Sequence, residues 1–224
     1  MTSFKKKDAL ALLKKYNVDK RVMDHLMAVH DYAMEIAADH ECDLDLVETG
    51  SLLHDIGRTR SHGMDHALIG SEILRREGVD ERIVKIVERH IGAGLTQEEA
   101  VELGLLPGNY VPETIEEKIV CHADNLIGGT ERISIHKAIE AARHKWFPAS
   151  VVRLIKMHFD VFRPDNVVVS KNCAEIDRHK IDLILEDQDL LYKVKSEGSG
   201  CVISLYGRDS GKASKLLKKH MDEL

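Results

Sequence analysis

Apolar residues recur at helical spacing through most of the chain and change period near Pro164. In KRVMDHLMAVHDYAMEIAADHE, residues 20–41, Val22, Leu26, Val29, Ala33, Ile36 and Ala37 share one face, which predicts an amphipathic helix. The opening MTSFKKKDALALLKKYN predicts another, with a basic face. Asp43 or Asp45 can cap the next helix, which runs to His54-Asp55 and ends at Gly57. Asp65 opens HALIGSEILRREG, closed by Gly78, and Asp80 opens ERIVKIVERHIGAG, closed by Gly92. Thr96 with Glu99 forms a capping box for TQEEAVELG. LPGNYVP is a loop, ETIEEKIVCHADNLIGG follows Pro112, and two more helices are predicted near 130–145 and 148–163. Beyond Pro164 the β-branched runs NVVVS and CVISLYG predict strands, and KIDLILEDQDLLYKVKSEGSG reads as partly extended. GKASKLLKKHMDEL predicts a last helix. The expected fold class is mainly α, with a helical domain over 1–163 and a small α+β appendage over 164–224.

Composition changes this picture little. With 224 residues, 43% hydrophobic and 31% charged, the chain reads as globular, and 4% aromatic content implies an aliphatic core. A net charge of -6 disfavours a nucleic-acid surface. The cysteines at 42, 121, 173 and 201 show no C-x-x-C spacing and read as idle thiols in a reducing, cytoplasmic setting. No apolar run approaches the ~20 residues of a membrane span, so no membrane partner is expected. The closing MDEL resembles a retention tail but reads as coincidence, because no signal sequence opens the chain. YGRDSGKAS resembles a P-loop, but Gly207 and Gly211 enclose three residues instead of four and Ala213 replaces the hydroxyl.

The chemistry lies among thirteen histidines. His30 falls on the apolar face of its helix, four residues after Leu26 and four before Met34. His54 and Asp55 end the next helix, His66 sits in a first turn, and His90 and Asp124 lie at inward edges of theirs. Any one of these could be a hydrogen-bonded core residue or a cap. Burying the set without partners would cost several kcal/mol per charged group, comparable with a whole folding free energy. Convergence on a cation removes that cost. Nitrogen and carboxylate donors without cysteine suit Fe, Mn, Ni, Co or Zn.

The order His30, His54-Asp55, His66, His90, Asp124, with HDIG at 54–57, resembles the HD-domain superfamily of metal-dependent phosphohydrolases in its HDIG subgroup. The likeness covers roughly residues 20–160. HALIGSEIL and IVERHIGAG are similar to bacterial HD hydrolases of diadenosine tetraphosphate and to small archaeal HDIG proteins. No GYP triplet marks the cyclic-di-GMP variant. The resemblance implies an HD-type helical bundle that holds one or two divalent transition metal ions. His30, His54, Asp55 and Asp124 would bind the first, and His66 and His90 the second, bridged by Asp55. Asp55 is a candidate general base. Arg58 is a candidate for catalysis and phosphate binding, and His62, Gly92 and Gly94 are candidates for substrate contact. Arg60 and Arg132 are weaker choices, and His25, His122, His136, His144, His158, His179 and His220 are assigned to surfaces or packing. The implied substrate is a small phosphorylated molecule, a nucleotide, and a homodimer is compatible with this reading. The alternative is a non-catalytic or regulatory module that binds a metal and a nucleotide or RNA-related partner.

Overall fold

The computed structural model describes residues 4–169, 173–198 and 200–220; the MDEL tail lies outside them. It is mainly helical, as expected, and divides into two compact units: 1–133 with 138–157, and 134–137 with 158–224.

In the first unit α1 (Lys6–Lys15), α2 (Lys20–Ala37) and α3 (Leu44–Leu53) lead into a 3-10 turn, Ile56–Thr59. Then come α4 (His66–Arg76), α5 (Glu81–Glu88), α6 (Gln97–Glu102) and α7 (Ile115–Asn125). A two-residue pair, β1 (Ile127–Gly128) and β2 (Glu131–Arg132), precedes α8 (Ile135–Lys145) and α9 (Pro148–Val161), of which 138–145 and 148–157 count in this unit. Helix α3 packs on α1, α2, α5 and α7. The stripe Val22, Leu26, Val29, Ala33, Ile36 and Ala37 is buried as its spacing requires. The predicted caps hold at Asp43, Asp80 and Thr96, where side-chain oxygens accept the first free amides, and Asp19 and Thr114 cap α2 and α7 in the same way. Asp65 precedes α4 as expected, but its side chain makes no cap bond and instead accepts from Ser61 Oγ. Two ends differ from expectation. Helix α3 stops at Leu53, and α5 stops at Glu88, so His90 lies beyond its helix.

In the second unit β3 (Asp165–Val169), β4 (Leu191–Glu197) and β5 (Gly200–Tyr206) form an antiparallel sheet in the order β3-β5-β4. Val167 pairs with Ile203 and Val194 also pairs with Ile203, which places all three on one face. That face is buried with Ile181, Leu185, Ala213 and Leu217 from α10 (Arg178–Ile184) and α11 (Ser210–Lys219). The partly extended reading of KIDLILEDQDLLYKVKSEGSG divides within the segment: Asp177 caps a helix over its start, and LYKVKSE is the strand. The expectation of idle thiols fails for one pair, because Cys173 and Cys201 are joined as a disulfide. Among the described residues no helix is long and apolar enough to cross a membrane.

Candidate metal centre

Helix ends converge in the first unit. His54 caps the C-terminus of α3 with helical backbone, and Asp55 leaves the helix at φ -100, ψ 13. This break lets two neighbouring side chains turn to one point, where a regular helix would set them ~100° apart. Gly57 follows because the turn abuts α4: a Cβ there would lie 1.9 Å from the His66 carbonyl oxygen and 2.7 Å from the Gly70 nitrogen. His66 opens α4, His90 follows α5, and Asp124 sits in the last turn of α7.

Each imidazole is turned by a backbone carbonyl. Nδ1 of His54, His66 and His90 lies 2.7, 2.6 and 2.7 Å from the carbonyls of Ser51, Gly63 and Val87. A carbonyl can only accept, so Nδ1 carries the proton and Nε2 keeps its lone pair. His25 follows the same rule, with Nδ1 2.7 Å from the Gly129 carbonyl. The four Nε2 atoms gather on two carboxylates. Asp55 Oδ1 lies 3.0 Å from His66 and 3.5 Å from His90, whereas its Oδ2 lies 3.9 Å from both His25 and His54. Asp124 Oδ1 lies 3.0 Å from His25 and 3.6 Å from His54. Three overlapping sets, His25-His54-Asp55, His54-His90-Asp124 and Asp55-His66-His90, each place their donor atoms within 4.8 Å of one another.

These residues fit a divalent cation. His54 Nε2 is buried without a hydrogen-bond partner, and the Nε2 atoms of His66 and His90 face each other at 3.0 Å. Two lone pairs at that distance repel unless a proton or metal lies between them. Donors about 2.1 Å from one ion stand about 3.0–3.4 Å apart, close to the spacings seen here. Electrostatics agree. Burial alone would keep His54 neutral, but Asp55 and Asp124 push its pKa up to about 9. Burial opposes ionisation of Asp55 as well, yet the neighbouring His54, His66 and His90 hold its carboxyl well below the usual range. Asp124, half-buried, is also held low by His25 and His54 beside it. The pocket attracts positive charge.

One expected ligand stands elsewhere. His30 Nε2 lies 2.6 Å from Lys6 Nζ and 4.0 Å from Glu48, and it belongs to none of the three donor sets. Five residues along a helix is ~140° around it, so His25 and His30 cannot reach the same point. His25, assigned to the surface from sequence, takes the place expected of His30. The signal missed was direction: the buried stripe of α2 is wide, and it is His25 whose Nδ1 meets the Gly129 carbonyl and whose Nε2 meets Asp124 of α7.

Arg58 Nε donates to Asp55 Oδ2 at 2.5 Å, so it braces a carboxylate as well as lining a cleft of about 1190 Å³. His62, Lys20, Arg21 and Gly129 line the same cleft. Gly92 and Gly94 do not. Gly94 is buried, and a Cβ there would meet Pro112 at 2.5 Å and Val111 at 2.6 Å, so the chain itself makes the close approach expected of a substrate. The Gly92 carbonyl is taken by Asn125 Nδ2 at 2.5 Å. Arg132 is bound to Glu35 and lies over the Tyr32 ring.

A helical unit with histidines and aspartates gathered at its helix ends defines a metal-binding class of protein. A family model described as "HD domain" matches residues 22–129, a span that holds all six clustered residues, and the chain belongs to the HD-domain superfamily. It is 50% identical over 149 residues to a tRNA (cytidine(56)-2'-O)-methyltransferase of Thermoplasma volcanium, covering 66% of this chain and 44% of that protein. It is 53% identical over 137 residues to an uncharacterised protein of Methanocaldococcus jannaschii, covering 59% of this chain and 80% of the relative. The HD domain of the L. monocytogenes phosphodiesterase PgpH, solved with cyclic-di-AMP, is similar at 18% identity and a TM-score of 0.46, over 66% of this chain and 92% of that one.

Proposed function

We propose that the chain is a metal-dependent phosphohydrolase that cleaves a phosphomonoester, phosphodiester or pyrophosphate bond in a nucleotide. The observation that carries this reading is the common setting of four imidazoles, each with Nδ1 on a carbonyl and Nε2 turned to Asp55 or Asp124. His25, His54, Asp55 and Asp124 would hold one ion, and Asp55, His66 and His90 a second. Asp55 offers a different oxygen to each group. When bound, such ions supply Lewis acidity toward a phosphoryl oxygen and make hydroxide accessible near neutral pH.

The remaining work falls to the chain. Asp55, held ionised between imidazoles, suits a ligand better than the general base expected of it. Arg58 keeps Asp55 turned inward and presents a planar cation at the cleft, where phosphoryl oxygens can pair with it. His62 stands exposed and lines the same cleft.

Metal-stripped protein should hydrolyse no member of a nucleotide panel and regain activity with Mn, Co, Ni, Fe or Zn. His54→Ala and Asp55→Ala should lose both bound metal and turnover. Retention of both by either variant contradicts the reading.

A second reading has one observation in its favour: half-identity to part of a tRNA methyltransferase. In it this unit is a regulatory module that holds a metal and an RNA-related partner. Tight tRNA binding in gel-shift, with no turnover of any phosphoester, would select it.

A further inference from the structure

The cleft beside the cluster is larger than the ~300–1,000 Å³ of ordinary small-molecule sites, at about 1190 Å³. Its cations are not equivalent. Lys20 Nζ is committed to Asp24 at 2.6 Å, and Arg58 is committed to Asp55. Arg21 is exposed and makes no ion pair among the described residues. Among the described residues no Phe, Tyr or Trp lines the cleft, and of its two imidazoles His25 is turned to the cluster, which leaves His62 as its one exposed ring.

We propose that Arg21 binds a second phosphate group of the substrate, beyond the one placed at the His-Asp cluster, and that the cleft reads phosphates and not bases. This rests on the phosphohydrolase reading and deepens it. A planar guanidinium pairs bidentately with a phosphate, and Arg21 lines the cleft together with Asp55 and Arg58. The acidic residues of that wall, Asp19 and Asp24, are engaged by the Val22 amide and by Lys20. The substrate class is therefore one with consecutive phosphates, either a pyrophosphate or an oligonucleotide backbone.

Calorimetry on the full chain with Mn tests this, using phosphorothioate-linked dinucleotides with and without a 5′ phosphate. Wild type and Arg76→Ala, a control remote from the cleft, should bind the 5′-phosphorylated dinucleotide about tenfold more tightly than its unphosphorylated counterpart. Arg21→Ala should abolish that preference, Arg21→Lys should keep part of it, and dithymidine and diadenosine forms should differ by less than about threefold. The same Arg21 dependence with a nucleoside diphosphate, absent for dinucleotides, supports the inference and assigns the second group to a pyrophosphate. An unchanged preference in Arg21→Ala, or a strong base preference, overturns it. If Arg21 dependence persists while no phosphoester is ever hydrolysed, the phosphohydrolase reading fails and the phosphate subsite stands.

Discussion

Thirteen imidazoles share one chemistry, and their surroundings sort them. Where a carbonyl takes Nδ1, as at His25, His54, His66 and His90, Nε2 remains a donor to a cation. His30 differs, with Lys6 on Nε2. The sequence carried His54, Asp55, His66, His90 and Asp124 by their positions at helix ends. It could not separate His25 from His30, because both lie near a broad apolar stripe and only the position of α7 decides between them. His158 uses its ring differently, with Nε2 donating to the Tyr206 carbonyl, and burial lowers its pKa to about 4. Between its unfolded value near 6.5 and about 4, the unfolded chain takes up a proton that the folded chain refuses, so stability falls as pH drops through that window. From pH 7 to 5 the loss should be about 2 kcal/mol in urea unfolding, and His158→Gln should lack that acid limb. Equal acid slopes in both proteins would contradict this.

At the scale of elements, caps and stripes were legible, since Asp43, Asp80 and Thr96 mark helix starts by local chemistry alone. Ends were less so. Gly92 suggested a longer α5, but the helix stops at Glu88 because His90 turns inward to join the cluster. Within KIDLILEDQDLLYKVKSEGSG the sequence did not divide helix from strand, because a short apolar run carries no clear period, whereas Asp177 caps the start and Ile181 is buried with the sheet residues. Gly57 joins element to site. Gly57→Ala would drive a methyl into the α4 backbone, which cannot move aside as a side chain can. The expected result is a loss of about 3 kcal/mol or more in thermal unfolding, together with loss of bound metal. Gly50→Ala should be milder, since the atoms it meets belong to the Ile86 side chain. A Gly57→Ala protein with normal stability and metal content would show that the turn does not position Asp55 and His66.

Across the whole molecule, the second compact unit takes in 134–137 and 158–224, so its bounds differ from the change of texture at Pro164. Its disulfide was not legible, because residues 28 apart in sequence meet only once β5 is paired and the 3-10 turn at Cys173–Glu175 folds against the sheet. Denatured, unreduced protein should titrate two thiols, Cys42 and Cys121, and reduction should reveal four. Opening that 28-residue loop should destabilise the second unit by about 3 kcal/mol. Four thiols before reduction would contradict the pairing. The account as a whole turns on the first unit holding a divalent ion through His25 and not His30. Metal analysis of wild type, His25→Ala and His30→Ala, each stripped and reloaded with Mn, tests that directly. The expected result is metal retained by wild type and His30→Ala, with His25→Ala depleted at least tenfold in affinity. Full metal in His25→Ala, or its loss in a folded His30→Ala, would contradict the account.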